Sequence, residues 1–123
     1  MAKGRKHITP KRGEVYIVSF DPTLGSEIKK TRPALILQND IANRHSAVTI
    51  VAALSSQFTE PVYPTEVLVD PPEGGLEKRS VVLLNQVRTI DKQRLVAKLG
   101  TLKPETMGRV DRALEVSLGL VTI

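Results

Sequence analysis

Arg32 is followed at once by Pro33 and the apolar run 34–37, and Glu27, Lys29 and Lys30 stand within the six residues before it. Proline disfavours the α region for its predecessor, so Arg32 is held in extended geometry. The apolar run then clamps the backbone just behind it. A guanidinium on such a root is a planar five-donor fork that grips a phosphate through two bonds and stays charged at any working pH. Glu27 adds a carboxylate able to take a proton, and Lys29 and Lys30 add ammonium groups able to hold phosphate. The competing reading is a salt bridge from Arg32 to Glu27 or Asp40, and composition leaves both open.

Other chemistries are harder to build from these residues. The chain has no cysteine, which removes disulfides, thiolate nucleophiles and cysteine–zinc sites together and suits a reducing compartment. It lacks H-E-x-x-H, an EF-hand loop, G-x-x-x-x-G-K and G-x-S-x-G, and its acids form no D-x-D pair for magnesium. No metal or cofactor is therefore expected. His7 lies near the start of the chain and His45 after the second strand; a lone loop histidine is more often solvated than catalytic.

Charge is unevenly spread. Residues 1–32 carry eight Lys or Arg against three acids, while the rest of the chain holds ten of each, so the whole excess of +5 is N-terminal. Such clustering, at a pI near 9.7, suits a polyanion whose counterions are released on binding. The segment 1–11 is expected to be a flexible basic tail. No apolar run reaches membrane-spanning length and the N-terminus has no signal-peptide core, which gives a cytoplasmic expectation with no membrane partner.

The elements that must position Arg32 follow from periodicity. The stretch 14–20 (EVYIVSF) is apolar on both alternating sets, as a strand covered on both faces would be. The segment 21–31, punctuated by Pro22 and Gly25, reads as a long loop. Strands are expected at 32–38, 47–56, 65–70 and 79–89, with a short helical turn capped by Asn39 or Asp40 after the second. The segment 94–100 alternates as a half-exposed edge strand, with Leu95, Ala97 and Leu99 inward, and PPEGG reads as a turn. From 103 to 119 the period changes: Met107, Val110, Leu114 and Leu118 form one face of a helix, with Pro104 in its first turn and Gly119 at its exit. The chain should therefore be one mainly β domain, a strongly bent antiparallel sheet or small barrel with a C-terminal amphipathic helix. The end LGLVTI is more apolar than a free tail and should pack on the barrel or across a two-fold axis.

In order and spacing, RGEVY, PTLGSE, the RP strand and QVRTIDKQRL resemble the MazF/PemK type II toxins, and the resemblance runs over residues 12–123. It implies an SH3-like barrel of the MazF/CcdB kind, acting as a homodimer. It also implies metal-independent cleavage of single-stranded mRNA, giving 2′,3′-cyclic phosphate and 5′-hydroxyl ends, and a MazE-like antitoxin whose C-terminal segment covers the RNA groove. By position the family's catalytic arginine falls on Arg32, its hydroxyl partner on Ser55, where close relatives carry threonine, and its loop glutamate on Glu27.

Read as RNA contacts, Phe20 is able to stack a base or to serve the core, Asn85 and Gln86 carry base-reading amide edges, and Lys29, Lys30 and Arg88 are able to hold phosphates. Base choice is expected to lie in the loops 21–31 and 57–64. Two other functions fit the same fold: a toxin that binds DNA gyrase without cutting, and a non-enzymatic RNA-binding barrel.

Overall fold

In the computed structural model the described residues are 8–20 and 31–123. Six strands, β1 (Glu14–Ser19), β2 (Thr31–Ile36), β3 (Val48–Ser55), β4 (Glu66–Val69), β5 (Ser80–Asp91) and β6 (Leu95–Thr101), form one antiparallel sheet in the order β4-β5-β3-β2-β1-β6. Helix α1 (Asp40–His45) links β2 to β3, and helix α2 (Pro104–Ser117) follows β6.

The pattern of apolar residues explains why β1 and β2 lie inside the sheet rather than at its edges. Val15 and Leu35 point into one apolar cluster, completed by residues such as Leu54, Val82, Val110 and Ala113. Tyr16, Val18, Ala34 and Ile36 point into a second, with Val51, Ile90 and Leu95. Both strands are thus covered on two faces, as the doubly apolar pattern of 14–20 requires. The first cluster is capped by α2, whose buried residues are Thr106, Val110 and Ala113. Of the expected face, Val110 is buried and Met107 and Leu114 pack against the cluster, while Leu118 is 61% exposed, because the helix ends at Ser117 in a Schellman cap. There Gly119 (φ 74°) and Leu120 donate to the carbonyls of Val116 and Glu115.

The sheet bends midway along β5. Its first half pairs with β4 on one side (Val67↔Val82) and with β3 on the other (Leu54↔Val82), and its second half pairs with β3 (Val51↔Arg88). Between Ala52↔Val87 and Leu54↔Val82, β5 advances five residues while β3 advances two. An irregularity of this size sharpens the bend and leaves residues 85–89 exposed.

Strand β6 is an edge, as expected, but bulges opposite β1 break its alternation and Ala97 is exposed rather than inward. The two edges, β4 and β6, are brought together by the PPEGG segment. It is not wholly irregular: residues Glu73–Gly75 make one turn of 3-10 helix with Gly74 left-handed at φ 68°. Here only glycine fits. A Cβ on Gly75 would lie 2.0 Å from the Leu99 carbonyl oxygen, and one on Gly100 would lie 2.6 Å from the Gly74 carbonyl carbon. Backbone-to-backbone contact without a strand ladder closes the barrel.

The two glycine environments give opposite predictions. Gly100→Ala is expected to cost about 1–3 kcal/mol, since backbone must move to admit the methyl. Gly108→Ala, with nothing within 4 Å of the added carbon, is expected to gain about 0.5–1 kcal/mol as a helix-interior replacement. Denaturant unfolding of both variants beside the parent measures the signs.

Candidate functional site

Arg32 lies on β2 beside β1, opposite Val18. On its other side β2 pairs with β3 through Ala34↔Ala53, Leu35↔Ala52 and Ile36↔Val51. Continued two residues toward the strand ends, that register sets Arg32 across from Ser55. Both line one cavity of about 490 Å³, whose wall also includes Pro33, Leu54 and Gln57 and, from the far side, Leu76, Glu77 and Lys78.

The connection that sets this register is fixed by a buried polar network. Of the two cap candidates, Asn39 caps α1, accepting from the backbone N–H of Ala42 at 2.8 Å. Asn43, fully buried, donates to the Gln38 carbonyl at 2.9 Å. Its Oδ1 accepts from Gln38 Nε2 at 2.9 Å and from Thr49 Oγ1 at 2.8 Å. Every polar end of that amide has a partner, so the short helix is tied rigidly to the start of β3. Lys92 adds a hydrogen bond from its ammonium to the Asn43 carbonyl.

The salt bridge that competed for Arg32 is not made to Asp40. The Asp40 carboxylate accepts from the backbone N–H of Arg12 at 2.7 Å and from Asn43 Nδ2 at 3.4 Å. The Arg12 bond, followed by the Asn43 contact and the charges of Lys11 and Arg44, holds its carboxyl below the usual carboxylate value despite some desolvation. Among the described residues nothing pairs with the Arg32 guanidinium, which is half-buried at the cavity wall. Glu27, the other possible partner, lies outside the described residues, as do Lys29 and Lys30.

Ser55 is more committed. Its Oγ accepts from the backbone N–H of Gln57 at 3.0 Å and donates to the Gln57 carbonyl at 3.2 Å. The hydroxyl therefore shapes the turn that leaves β3, and the longer of its two bonds is the one a ligand oxygen would replace. Phe20 packs against the second apolar cluster, and the Arg88 guanidinium sits over its ring, 4.9 Å from the centroid. Asn85, Gln86 and Arg88 lie on the exposed stretch of β5 and do not line the cavity of Arg32. Exposed His45 borders a different cleft, with Arg44 and Lys92. Sequence reasoning passed over Glu77 and Lys78; with PPEGG read only as a turn, no signal tied 77–80 to a strand more than forty residues earlier.

A small antiparallel barrel that presents, in one open pocket, a strand-end hydroxyl and an arginine with no partner among the described residues has the groups to bind a phosphate-bearing ligand. Over residues 11–118 the chain matches the family described as PemK-like, MazF-like toxin of type II toxin-antitoxin system, and it belongs to that family. It is 49% identical over 111 residues to endoribonuclease EndoA of Bacillus subtilis, spanning 90% of this chain and 96% of that protein. Endoribonuclease MazF of Staphylococcus saprophyticus is 42% identical over 113 residues, spanning 92% and 94%. A solved mycobacterial endoribonuclease in complex with its cognate antitoxin superposes with a TM-score of 0.74 at 32% identity, covering 93% of this chain and 99% of that one.

The position of Asp40 has a testable pH consequence. Its folded pKa is lowered, so its stabilising bond is fully present above the unfolded carboxyl value of about 4 and is lost as pH falls through the folded value. Asp40→Asn is expected to be less stable than the parent near neutrality, the gap holding down to about pH 4 and closing as pH falls further through the lowered folded value. Urea midpoints across that range measure it.

Proposed function

We propose that this chain is the endoribonuclease toxin of a type II toxin–antitoxin pair, cutting single-stranded mRNA at Arg32 and thereby blocking translation. The observation that carries this reading is the Arg32 guanidinium, without a partner among the described residues, at the wall of an open pocket beside Ser55. The family membership and the endoribonuclease names of its relatives support it.

The reaction is transfer within the RNA. The 2′-oxygen loses its proton and bonds to the adjacent phosphorus, the bond from phosphorus to the 5′-oxygen breaks, and that oxygen takes a proton. The products are a 2′,3′-cyclic phosphate and a 5′-hydroxyl. Charge builds on the phosphate oxygens, and Arg32 meets it with preorganised N–H donors, an effect of about 3 kcal/mol per donor in comparable sites. Ser55 releases its 3.2 Å bond to the Gln57 carbonyl and donates to a phosphate oxygen instead. Arginine keeps its proton at neutral pH, its pKa exceeding about 12, so the proton acceptor is another group, for which Glu27 is our candidate. Lys29, Lys30 and Arg88 serve the RNA backbone, and Asn85 and Gln86 read base edges. Arg88 occupies the Phe20 ring in the free protein, so a base stacks there on the guanidinium or displaces it.

The C-terminal residues Leu120 and Ile123, exposed by 69% and 89%, cover nothing on their own barrel. That supports a homodimer in which a second copy takes them up. An antitoxin is the further partner, and the site of action is cytoplasmic. Among the described residues no helix is long and apolar enough to cross a membrane.

Incubation with a long RNA in EDTA is expected to give fragments with cyclic-phosphate ends, and intact RNA would overturn the proposal. Arg32→Ala should slow cutting at least about a hundredfold while retaining most RNA affinity. Equal loss of binding and cutting would point to a barrel that only binds.

A further inference from the structure

The cavity of Arg32 and Ser55 has a second wall, residues 75–80, with an unusual distribution of charge. Its Arg79 is turned away from the cavity and fully engaged, bonding Asp70 at 2.7 Å and Glu60 at 2.9 Å. Its Glu77 and Lys78, by contrast, line the cavity, and neither side chain has a hydrogen-bond or ion-pair partner among the described residues. Glu77 is also the sole carboxylate among the described residues lining it.

The wall is firmly placed. Gly75 is pressed against the Leu99 carbonyl, Leu76 is buried in the first apolar cluster, and Ser80 Oγ donates to the Lys78 carbonyl at 2.9 Å. Arg79 ties the same segment to Glu60 of the loop 57–64 and to Asp70 beyond β4. Backbone fixed at so many points, carrying two unpaired charges toward a pocket, is built for a ligand with donors as well as anionic oxygens.

We propose that Glu77 is a specificity-determining residue that reads an amine-bearing base next to the cut; this rests on the endoribonuclease reading given above. A carboxylate only accepts hydrogen bonds, and the phosphates of RNA would repel it. A single strand of RNA offers two kinds of donor, the 2′-hydroxyls, which are the same at every nucleotide, and the Watson–Crick edges of its splayed bases, which alone carry sequence. Adenine and cytosine each present an exocyclic amine, and guanine presents an N–H beside one. Uracil presents a single N–H between two carbonyl oxygens, which a carboxylate opposes. Lys78, one residue on, takes a phosphate of the same stretch and offsets the repulsion that Glu77 would otherwise exert on the approaching backbone.

The test is cleavage of an RNA pool randomised around the cut, with fragment ends sequenced for the parent and for Glu77→Gln. The parent should show one position near the cut where uracil is depleted. Glu77→Gln, whose amide both donates and accepts, should admit uracil there, raising its kcat/KM relative to the amine-bearing bases by about tenfold. Because Glu77 is exposed and unpaired, unfolding midpoints of the two proteins should coincide. Cutting by both proteins with the same base preferences at every position overturns the proposal. A slower variant with unaltered preferences overturns it too, since that is the signature of a proton acceptor. A parent that does not cut at all refutes the endoribonuclease reading itself.

Discussion

The register between β2 and β3 is the constraint on which the site depends. Pairing of Ala34 with Ala53 and of Ile36 with Val51 brings residues 23 positions apart into one pocket. Because side chains alternate, a slip of one residue would turn Arg32 and Ser55 to opposite faces and at the same time expel Leu35 and Ala52 from the core. The apolar clusters on the two sides thus enforce the site geometry without touching the ligand. The network of Gln38, Asn43 and Thr49 reinforces them by fixing the turn between the strands.

A division of labour among the charges follows. Arg12 joins the Leu37 carbonyl and Asp111 of α2, Lys98 pairs with the largely buried Glu14, and Arg79 bridges Asp70 and Glu60. These ions hold segments together, with most pairs at the surface, where each adds little stability alone. Among the described residues Arg32, Glu77 and Lys78 are left without partners, and all three line the same cavity. Unpaired charges converging on a concave surface are a costly arrangement for a bare fold and a useful one for a polyanionic ligand.

Barrel closure links these two themes. The contact of Gly74 and Gly75 with Leu99 and Gly100 joins the sheet edges and, in the same stroke, swings residues 76–80 across from Arg32. Without it the cavity would have one wall. A fold of this size is therefore able to build a two-sided site from a single sheet, with no inserted domain.

Much of this was written into local pattern. The doubly apolar run 14–20, the proline after Arg32, the cap candidates Asn39 and Asp40 and the change of period after residue 103 indicated the strands, the helices and the mainly β class, because each reflects interactions between near neighbours. The same pattern nominated Arg32 through its rigid root, and resemblance to a family nominated Ser55. Tertiary structure alone decided that Asp40 serves Arg12 rather than Arg32, that Ser55 bonds Gln57, and that Phe20 carries Arg88. It also decided which helical residues are buried, since α2 meets the sheet through Val110 and Ala113 and leaves Leu118 outside. The second wall of the pocket belongs to the same class: Glu77 and Lys78 reach Arg32 only because two glycines let distant backbones touch, and chain closure over such distances leaves no trace in local sequence.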